Sequence, residues 1–395
     1  MPHIVMLTLD HSPQDDRIFY KEARSLLKAG FEVSIVCRAD ERGRVFDMGG
    51  REVLNPDGNL TWDQDGIQVC AIPAKLTGLQ RFYYKAFRGS FFRDFIQKAV
   101  ELQGDAYHAH EPVSFWLGLQ AAKQYKNKVI FDSHESWIGG SRKDRYVRSR
   151  YVSELQYLIS ANHLTRGNLL AQQHHAHSQV IYNAAEKRLF DVLDRTPDPD
   201  HFTIVHDGYL PFNRGLRTMV DMMRLLAPRF PQVRLKLVGE TRGSEREFLQ
   251  QAMNSRELQG RIIETGWLPY EEVPKALAGC SVGIIAKTRT INNIIGGPPI
   301  KYFNYTAAGL PVIDVNMPET TRLLDEWENG ISVREPSAQA LADAVTHLLE
   351  HPDHWKHYAE RSLRAFETLH WEAEAEKLVR FYHHEVFPSG NLTIR

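Results

Sequence analysis

Cysteine is nearly missing from this chain: Cys37, Cys70 and Cys280 are the only three among 395 residues, an odd number with no CxxC spacing. That excludes a disulfide framework and a cysteine-built zinc site, and a reducing, cytoplasmic compartment is the expectation. Long apolar runs are missing too. No stretch reaches the roughly 18 residues that a bilayer-crossing helix needs. The start, "MPHIVMLTLDHS", lacks a basic segment ahead of a long apolar core and does not read as a signal peptide. An excess of charge is also lacking: 48 basic residues face 49 acidic ones, for a formal net charge of -1. No whole-chain field draws the protein to nucleic acid or to a membrane, so electrostatic recognition must come from local patches.

What is present is ordinary globular material, 43% hydrophobic and 25% charged. The length exceeds what one hydrophobic core organises, and two domains of roughly 150 to 200 residues are expected. "HIVMLTL" (3 to 9) reads as a buried strand, and "DRIFYKEARSLLKAG" (16 to 30) as a helix with Ile18, Phe19, Ala23, Leu26 and Leu27 as its apolar stripe. "FEVSIVCR" then returns as a strand, completing a β-α-β unit. "DAYHAH" and "KVIFDSH" repeat the theme, and from "FTIVHDG" to "PVIDV" strand and helix alternate again. The pattern predicts an α/β fold of two tandem Rossmann-like, doubly wound domains facing an interdomain cleft. The first spans 1–196 and the second 197–370, divided in the polar, Pro-bearing "DRTPDPDH" (194 to 201). A helical tail, 371–395, packs back on the N-terminal domain.

Open parallel sheets bind ligands beyond the carboxyl ends of their strands, where His110, His134, Gly208, Glu240, Gly266 and Lys287 all fall. His108 and His110, two apart on a strand, point to one face, and Glu111, His134 and Glu135 are the nearest further ligands for a metal. A His-x-His pair without a third ligand at a characteristic spacing is weak evidence for zinc, and no metal is expected. His108, inside the strand end, reads as structural. His110, just beyond it, reads as functional.

The order of "HAHEP" (108 to 112), "DSHE" (132 to 135), "VIYNAAEKRLF" (180 to 190), "VHDGYLPFNRGL" (205 to 216), "LVGE" (237 to 240) and "PIKYFNYTAAGLPVI" (299 to 313) resembles the GT-B glycosyltransferases of the GT4-type retaining family across almost the whole chain. The resemblance implies a transferase that moves a sugar from a nucleotide-diphosphate donor to an acceptor hydroxyl of a glycan or a lipid-linked molecule. No cofactor or metal is required and no nucleic acid is bound. By the same resemblance His110 lines the sugar subsite as the catalytic residue, and Arg214 grips the donor diphosphate, where a guanidinium fork suits phosphate oxygens. Gly208, Glu240, Leu268, Gly297, Ile300, Lys301 and Asn304 complete the donor site, with the backbone of the "GGPPIK" loop (296 to 301) against the phosphates. Asp16, Arg17, His134 and Glu135 fall to the acceptor side or the cleft.

Two features depart from that family. Its paired glutamates, eight positions apart, fall here at Gly296 and Asn304. Asn304 can still hydrogen-bond a ribose hydroxyl but carries no charge. The first loop, glycine-rich in many relatives, is "DHSPQDDRI" (10 to 18), where Asp16 suits the helix N-terminus as a cap and Arg17 is a candidate to face the cleft. A nucleotide-sugar 2-epimerase and a degenerate, non-catalytic nucleotide-sugar-binding partner are the alternatives; the loss at Gly296 disfavours the first.

Residues 79–100 interleave Arg81, Lys85, Arg88, Arg93 and Lys98 with seven Phe and Tyr, and 141–151 carries five basic residues to one acid. Such segments suit an anionic membrane surface at the inner face, hence a peripheral location; a helix with an apolar core face and a solvated basic face accounts for them as well.

Overall fold

In the computed structural model the described residues are 1–388 apart from 48–49, 54–58, 75–88 and 135–141. They form two compact units, Met1–Tyr182 with the chain from Ala375 onward, and Asn183–Glu374. Each is a twisted, mainly parallel sheet covered by helices, as the alternating pattern requires.

The first unit holds eight strands: β1 (His3–Thr8), β2 (Glu32–Ala39), β3 (Thr61–Gln64), β4 (Ile67–Pro73), β5 (Ala106–Ala109), β6 (Lys128–Ser133), β7 (Tyr157–Ser160) and β8 (His177–Val180). Their order is β3-β4-β2-β1-β5-β6-β7-β8, and only the β3–β4 pair is antiparallel. β1 and β5 are buried from end to end apart from His3, because helices cover both faces. β1 pairs with β5 through Ile4↔Ala106 and Met6↔His108, so the segment that carries both histidines lies at the sheet's centre.

The second unit is six strands, all parallel: β9 (Phe202–Asp207), β10 (Val233–Val238), β11 (Ile262–Glu264), β12 (Val282–Ile285), β13 (Val312–Asp314) and β14 (Gly330–Ser332), ordered β11-β10-β9-β12-β13-β14. Its core gathers Leu235, Leu237 and Ile284 from one face of the sheet with Met219, Met223 and Leu341 from the helices packed on that face.

The units divide at 182/183 rather than at the expected 196/197. "DRTPDPDH" has the composition of a linker, yet Arg195 hydrogen-bonds the Ala307 carbonyl and Asp198 N–H the Gly279 carbonyl, which tie the stretch into the second unit. Trp371 also stays there, donating its N–H to the Ala185 carbonyl. The chain returns to the first unit from Ala375. There Tyr382 is fully buried and Lys128 Nζ bonds the Val386 carbonyl.

The first helix differs from its expected α-helical form. Asp16–Ala23 is a π-helical turn, followed by the short α-helix Arg24–Lys28. Its i→i+5 register brings residues five apart to one side, so Asp16 lies against Lys21 (3.4 Å) and Arg17 against Glu22 (2.8 Å). Asp15, not Asp16, caps it: the Asp15 carboxylate accepts from the N–H groups of Arg17 and Ile18. Asp16 instead pairs with the buried Lys21.

The three cysteines are buried and unbonded, and burial pushes their thiols up. Among the described residues no helix is long and apolar enough to cross a membrane.

Candidate active site

In the first unit the ends of β5 and β6 and the π-turn deliver a buried polar cluster. Arg17 Nε and Nη2 both reach Asp132 Oδ2, at 3.1 and 3.0 Å, Nη2 also reaches Oδ1 at 3.1 Å, and Nη1 donates to the Ile181 carbonyl at 2.9 Å. Arg17, expected to face a cleft, is instead 2% exposed and locked to carboxylates. Burial opposes the charge of Asp132, but Arg17 and His134 hold its carboxyl well below the usual range. Glu22 has the opposite balance. Burial outweighs Arg17, the Asp132 charge adds to the burial, and the Glu22 carboxyl is raised well above its ordinary value.

His108 and His110 stack at 4.5 Å between ring centroids. His108 is fully buried, and its Nδ1 lies 2.9 Å from the Tyr382 hydroxyl, which supports the structural role expected of it. His110 Nδ1 lies 3.2 Å from His134 Nε2, and that same nitrogen lies 2.9 Å from Asp132 Oδ2. His110 Nε2 is buried and has no hydrogen-bond partner among the described residues. Burial first, then the neighbouring histidines, keep the His110 ring neutral well below its ordinary value.

One ligating atom each from Glu22, His110, Asp132 and His134 falls within 4.8 Å of the others, a spacing at which metals are bound. Asp132 Oδ2, however, already accepts from two Arg17 nitrogens and from His134. The cation that faces Asp132 and Glu22 is the Arg17 guanidinium. Glu111, the other acid beside the histidines, is equally committed: it accepts from Thr8 Oγ1 at 2.6 Å and from the backbone N–H groups of Leu9, Asp10 and His11 at 3.1 to 3.2 Å, and so holds the loop after β1. Glu135 lies outside the described residues.

In the second unit the cluster forms at the carboxyl end of β9. Lys301, in the first turn of the helix Ile300–Ala307, is buried and donates to the Asp207 carbonyl, with Asp207 Oδ1 at 4.0 Å. Lys301 is therefore held in the protein interior although it stands in a first helical turn. Asn304 Nδ2 donates to Asp207 Oδ2 at 2.8 Å, and the Asp207 N–H donates to the Tyr305 hydroxyl at 3.0 Å. Burial lowers Lys301, and the nearby Arg214 lowers it further against the pull of Asp207. His206 is kept neutral by burial and then by Lys301, Arg214 and Lys287. Three cations from three different elements thus converge on one strand end.

Two glycines make that convergence geometrically feasible. Gly208 has φ +89°, and a Cβ there would sit 2.5 Å from Lys301 Nζ. Gly215 has φ +91°, and its Cβ would meet the Ala286 carbonyl oxygen, so the "NRGL" turn can lie against the end of β12 only as glycine. Gly297 precedes the Ile300 helix, whose N-cap is Pro299. Glu240 pairs with Arg242 at 2.7 Å, and Leu268 is half-buried after β11.

Two family models match the chain: Glycosyltransferase Family 4 over residues 17–188 and Glycosyl transferases group 1 over 194–364. Together they span nearly all of both units. The chain is a GT-B glycosyltransferase. Among solved structures, sucrose-phosphate synthase from Thermosynechococcus elongatus superposes with a TM-score of 0.72 at 16% identity, covering 97% of this chain and 98% of that one. Anabaena Alr3699/HepE in complex with UDP-glucose gives a TM-score of 0.71 at 15% identity, over 96% and 99%. Both likenesses are of fold. A curated relative from Arabidopsis thaliana, a phosphatidylinositol N-acetylglucosaminyltransferase subunit, is 22% identical over 178 residues, 43% of this chain and 39% of that protein. The match thus spans well under half of that relative.

Sequence reasoning reaches His110, His134, Arg17, Lys301 and Asn304 but assigns nothing to Glu22, Asp132 or Asp207. Asp132 sits two residues before His134 in "DSH", and that spacing on a strand end is the available signal. Glu22 carries none, because an α-helical reading turns it away from Arg17.

Proposed function

We propose that this glycosyltransferase moves a sugar, with retention of its anomeric configuration, from a nucleotide-diphosphate donor to an acceptor hydroxyl in polysaccharide or glycoconjugate synthesis. One observation carries the donor class: Lys301 is buried at the carboxyl end of β9, donating to the Asp207 carbonyl, while Gly215 lets the turn that bears Arg214 lie against the end of β12. A concentration of positive charge on a low-dielectric floor stabilises a departing diphosphate, on which negative charge grows as the sugar acquires oxocarbenium character. Arg214 supplies the fork and Lys301 the point charge. The complex of HepE with UDP-glucose supports a nucleotide sugar as the donor. His110, whose Nε2 has no hydrogen-bond partner among the described residues, contacts the sugar in this reading. Arg17 and Asn304 act here as supports, since both are already bonded to carboxylates, while Glu240 and Leu268 stay on the donor side and Asp16 on the acceptor side.

The acceptor is carried on a lipid in this reading. The partial similarity to a phosphatidylinositol N-acetylglucosaminyltransferase supports it, as does the helix Arg142–Tyr151, where Arg142, Arg145, Tyr146 and Arg150 are exposed. The earlier basic segment contributes less: Phe91, Phe92 and Phe95 are buried in the core, while Arg81, Lys85 and Arg88 lie outside the described residues.

Titration with UDP-, GDP- and ADP-sugars tests the donor. At least one should bind, and Arg214→Ala should weaken that binding about 10- to 100-fold, the equivalent of one charge-assisted hydrogen bond. Undiminished binding in Arg214→Ala would remove the assigned role, and an inverted anomeric centre in the product would remove retention. Loss of anionic-liposome binding in Arg142→Glu/Arg145→Glu/Arg150→Glu tests the lipid surface.

A further inference from the structure

Hydrogen-bond logic in the first unit decides which ring nitrogen of His110 carries the proton. Asp132 is ionised, because two Arg17 nitrogens donate to it from a buried position. His134 Nε2, 2.9 Å from Asp132 Oδ2, must therefore bear hydrogen; a bare nitrogen there would set a lone pair against a carboxylate. That same N–H faces His110 Nδ1 at 3.2 Å. Two N–H groups cannot point at each other across that distance, so His110 Nδ1 is the bare, accepting nitrogen. The carboxyl oxygens of Glu22 and Asp132, at 3.7 and 3.9 Å from His110 Nδ1, are too distant to compete for it. A neutral imidazole has one proton, and it must be on Nε2, the buried atom with no partner among the described residues.

We propose that Asp132 and His134 are positioning residues that fix His110 as the Nε2–H tautomer, so that His110 is a neutral hydrogen-bond donor to an oxygen of the transferred sugar and not a general base. The inference rests on the glycosyl-transfer reading for its ligand, but the tautomer itself does not depend on that reading. A donor at Nε2 strengthens its bond to a sugar hydroxyl oxygen without removing a proton. The acceptor's proton must then leave by another route, and the departing phosphate oxygens are the bases that the reaction itself supplies. The stack of His108 against His110 fixes the ring plane, and the relay Arg17–Asp132–His134 fixes the proton.

The test is two-bond proton–nitrogen correlation NMR on the full chain labelled with 15N-histidine, the His110 signals being those missing from His110→Gln. Nε2 should carry hydrogen and Nδ1 should be bare in the wild type. In His134→Phe the Nδ1-protonated form should appear, whereas His134→Gln, whose amide can still donate to Asp132 and His110, should keep the wild-type pattern. Hydrogen on Nδ1 in the wild type, or an unchanged pattern in His134→Phe, overturns the proposal even if sugar transfer is observed. Conversely, absence of transfer with every nucleotide sugar would overturn the function while leaving the tautomer pattern standing. Where transfer is measured, His134→Phe should lower kcat about 10- to 100-fold, with His134→Gln restoring most of it and donor KM changing less than about twofold. An equal rise in KM without loss of kcat would mean that His134 serves binding alone and would also sink the assignment.

Discussion

Glu22 shows how far one side chain's behaviour can lie from its sequence label. It is an acid with no exposed surface, and neither oxygen has a hydrogen-bond partner among the described residues despite Arg17 at 2.8 Å. Burial and the Asp132 charge hold its proton on, so the residue is present as a carboxylic acid where Asp132 is a carboxylate. Glu22→Gln replaces a neutral group by a neutral isostere and should change stability at pH 5 by less than about 1 kcal/mol. Glu22→Leu, which removes the polar oxygen 2.8 Å from Arg17 Nε, should cost about 1–3 kcal/mol in chemical denaturation. A larger loss in Glu22→Gln than in Glu22→Leu would contradict the neutral state. At this scale the sequence placed His108 inside β5 and His110 one residue past its end, and the fold buries both rings. The partners of His110 were not legible, since Glu22 and Asp132 reach it from elements about a hundred residues apart.

Among elements, strand–helix alternation was legible throughout because a doubly covered parallel strand is apolar along its length. The π-turn at Asp16–Ala23 was not. Its sequence has the apolar spacing of an α-helix, and only the tertiary pairing of Arg17 with both Asp132 and Glu22 distinguishes the two registers. The turn at Gly215 was legible as "NRGL", but the reason for its glycine lies in Ala286, far along the chain. Gly215→Ala must strain a left-handed φ and displace the end of β12. It should destabilise the protein by about 1–3 kcal/mol or more and weaken nucleotide-sugar binding with it, because Arg214 moves with the turn. Thermal unfolding and titration on the same preparation check both; intact binding with lowered stability would show that the turn does not position Arg214.

Across the molecule, each unit buries titratable groups of both kinds, and their signs decide how stability depends on pH. His108, His110 and His206 are held neutral below their ordinary 6.5, so what they contribute is complete above 6.5 and is lost as the pH falls through their lowered values. Glu22 and Asp314 are raised, mainly by burial, Asp314 to about 7. Their contribution is complete below their ordinary values and is lost as the pH rises through the raised ones. On the acid side the unfolded chain takes up three histidine protons while the fold retains two carboxyl protons, so stability should climb as the pH rises toward 6.5. Beyond that the histidines no longer differ between the two states and only the carboxyl protons do, so stability should fall, by at most about 1.4 kcal/mol per pH unit for each group. Thermal unfolding between pH 5 and 8 should therefore show a maximum near 6.5. Glu22→Gln/Asp314→Asn should convert the alkaline decline into a plateau while leaving the acid limb in place. A wild-type melting temperature still rising from about pH 6.5 to 8, or a decline that persists in the double variant, would mean that these two carboxyls are ionised in the fold and that Arg17 and Lys287 outweigh their burial.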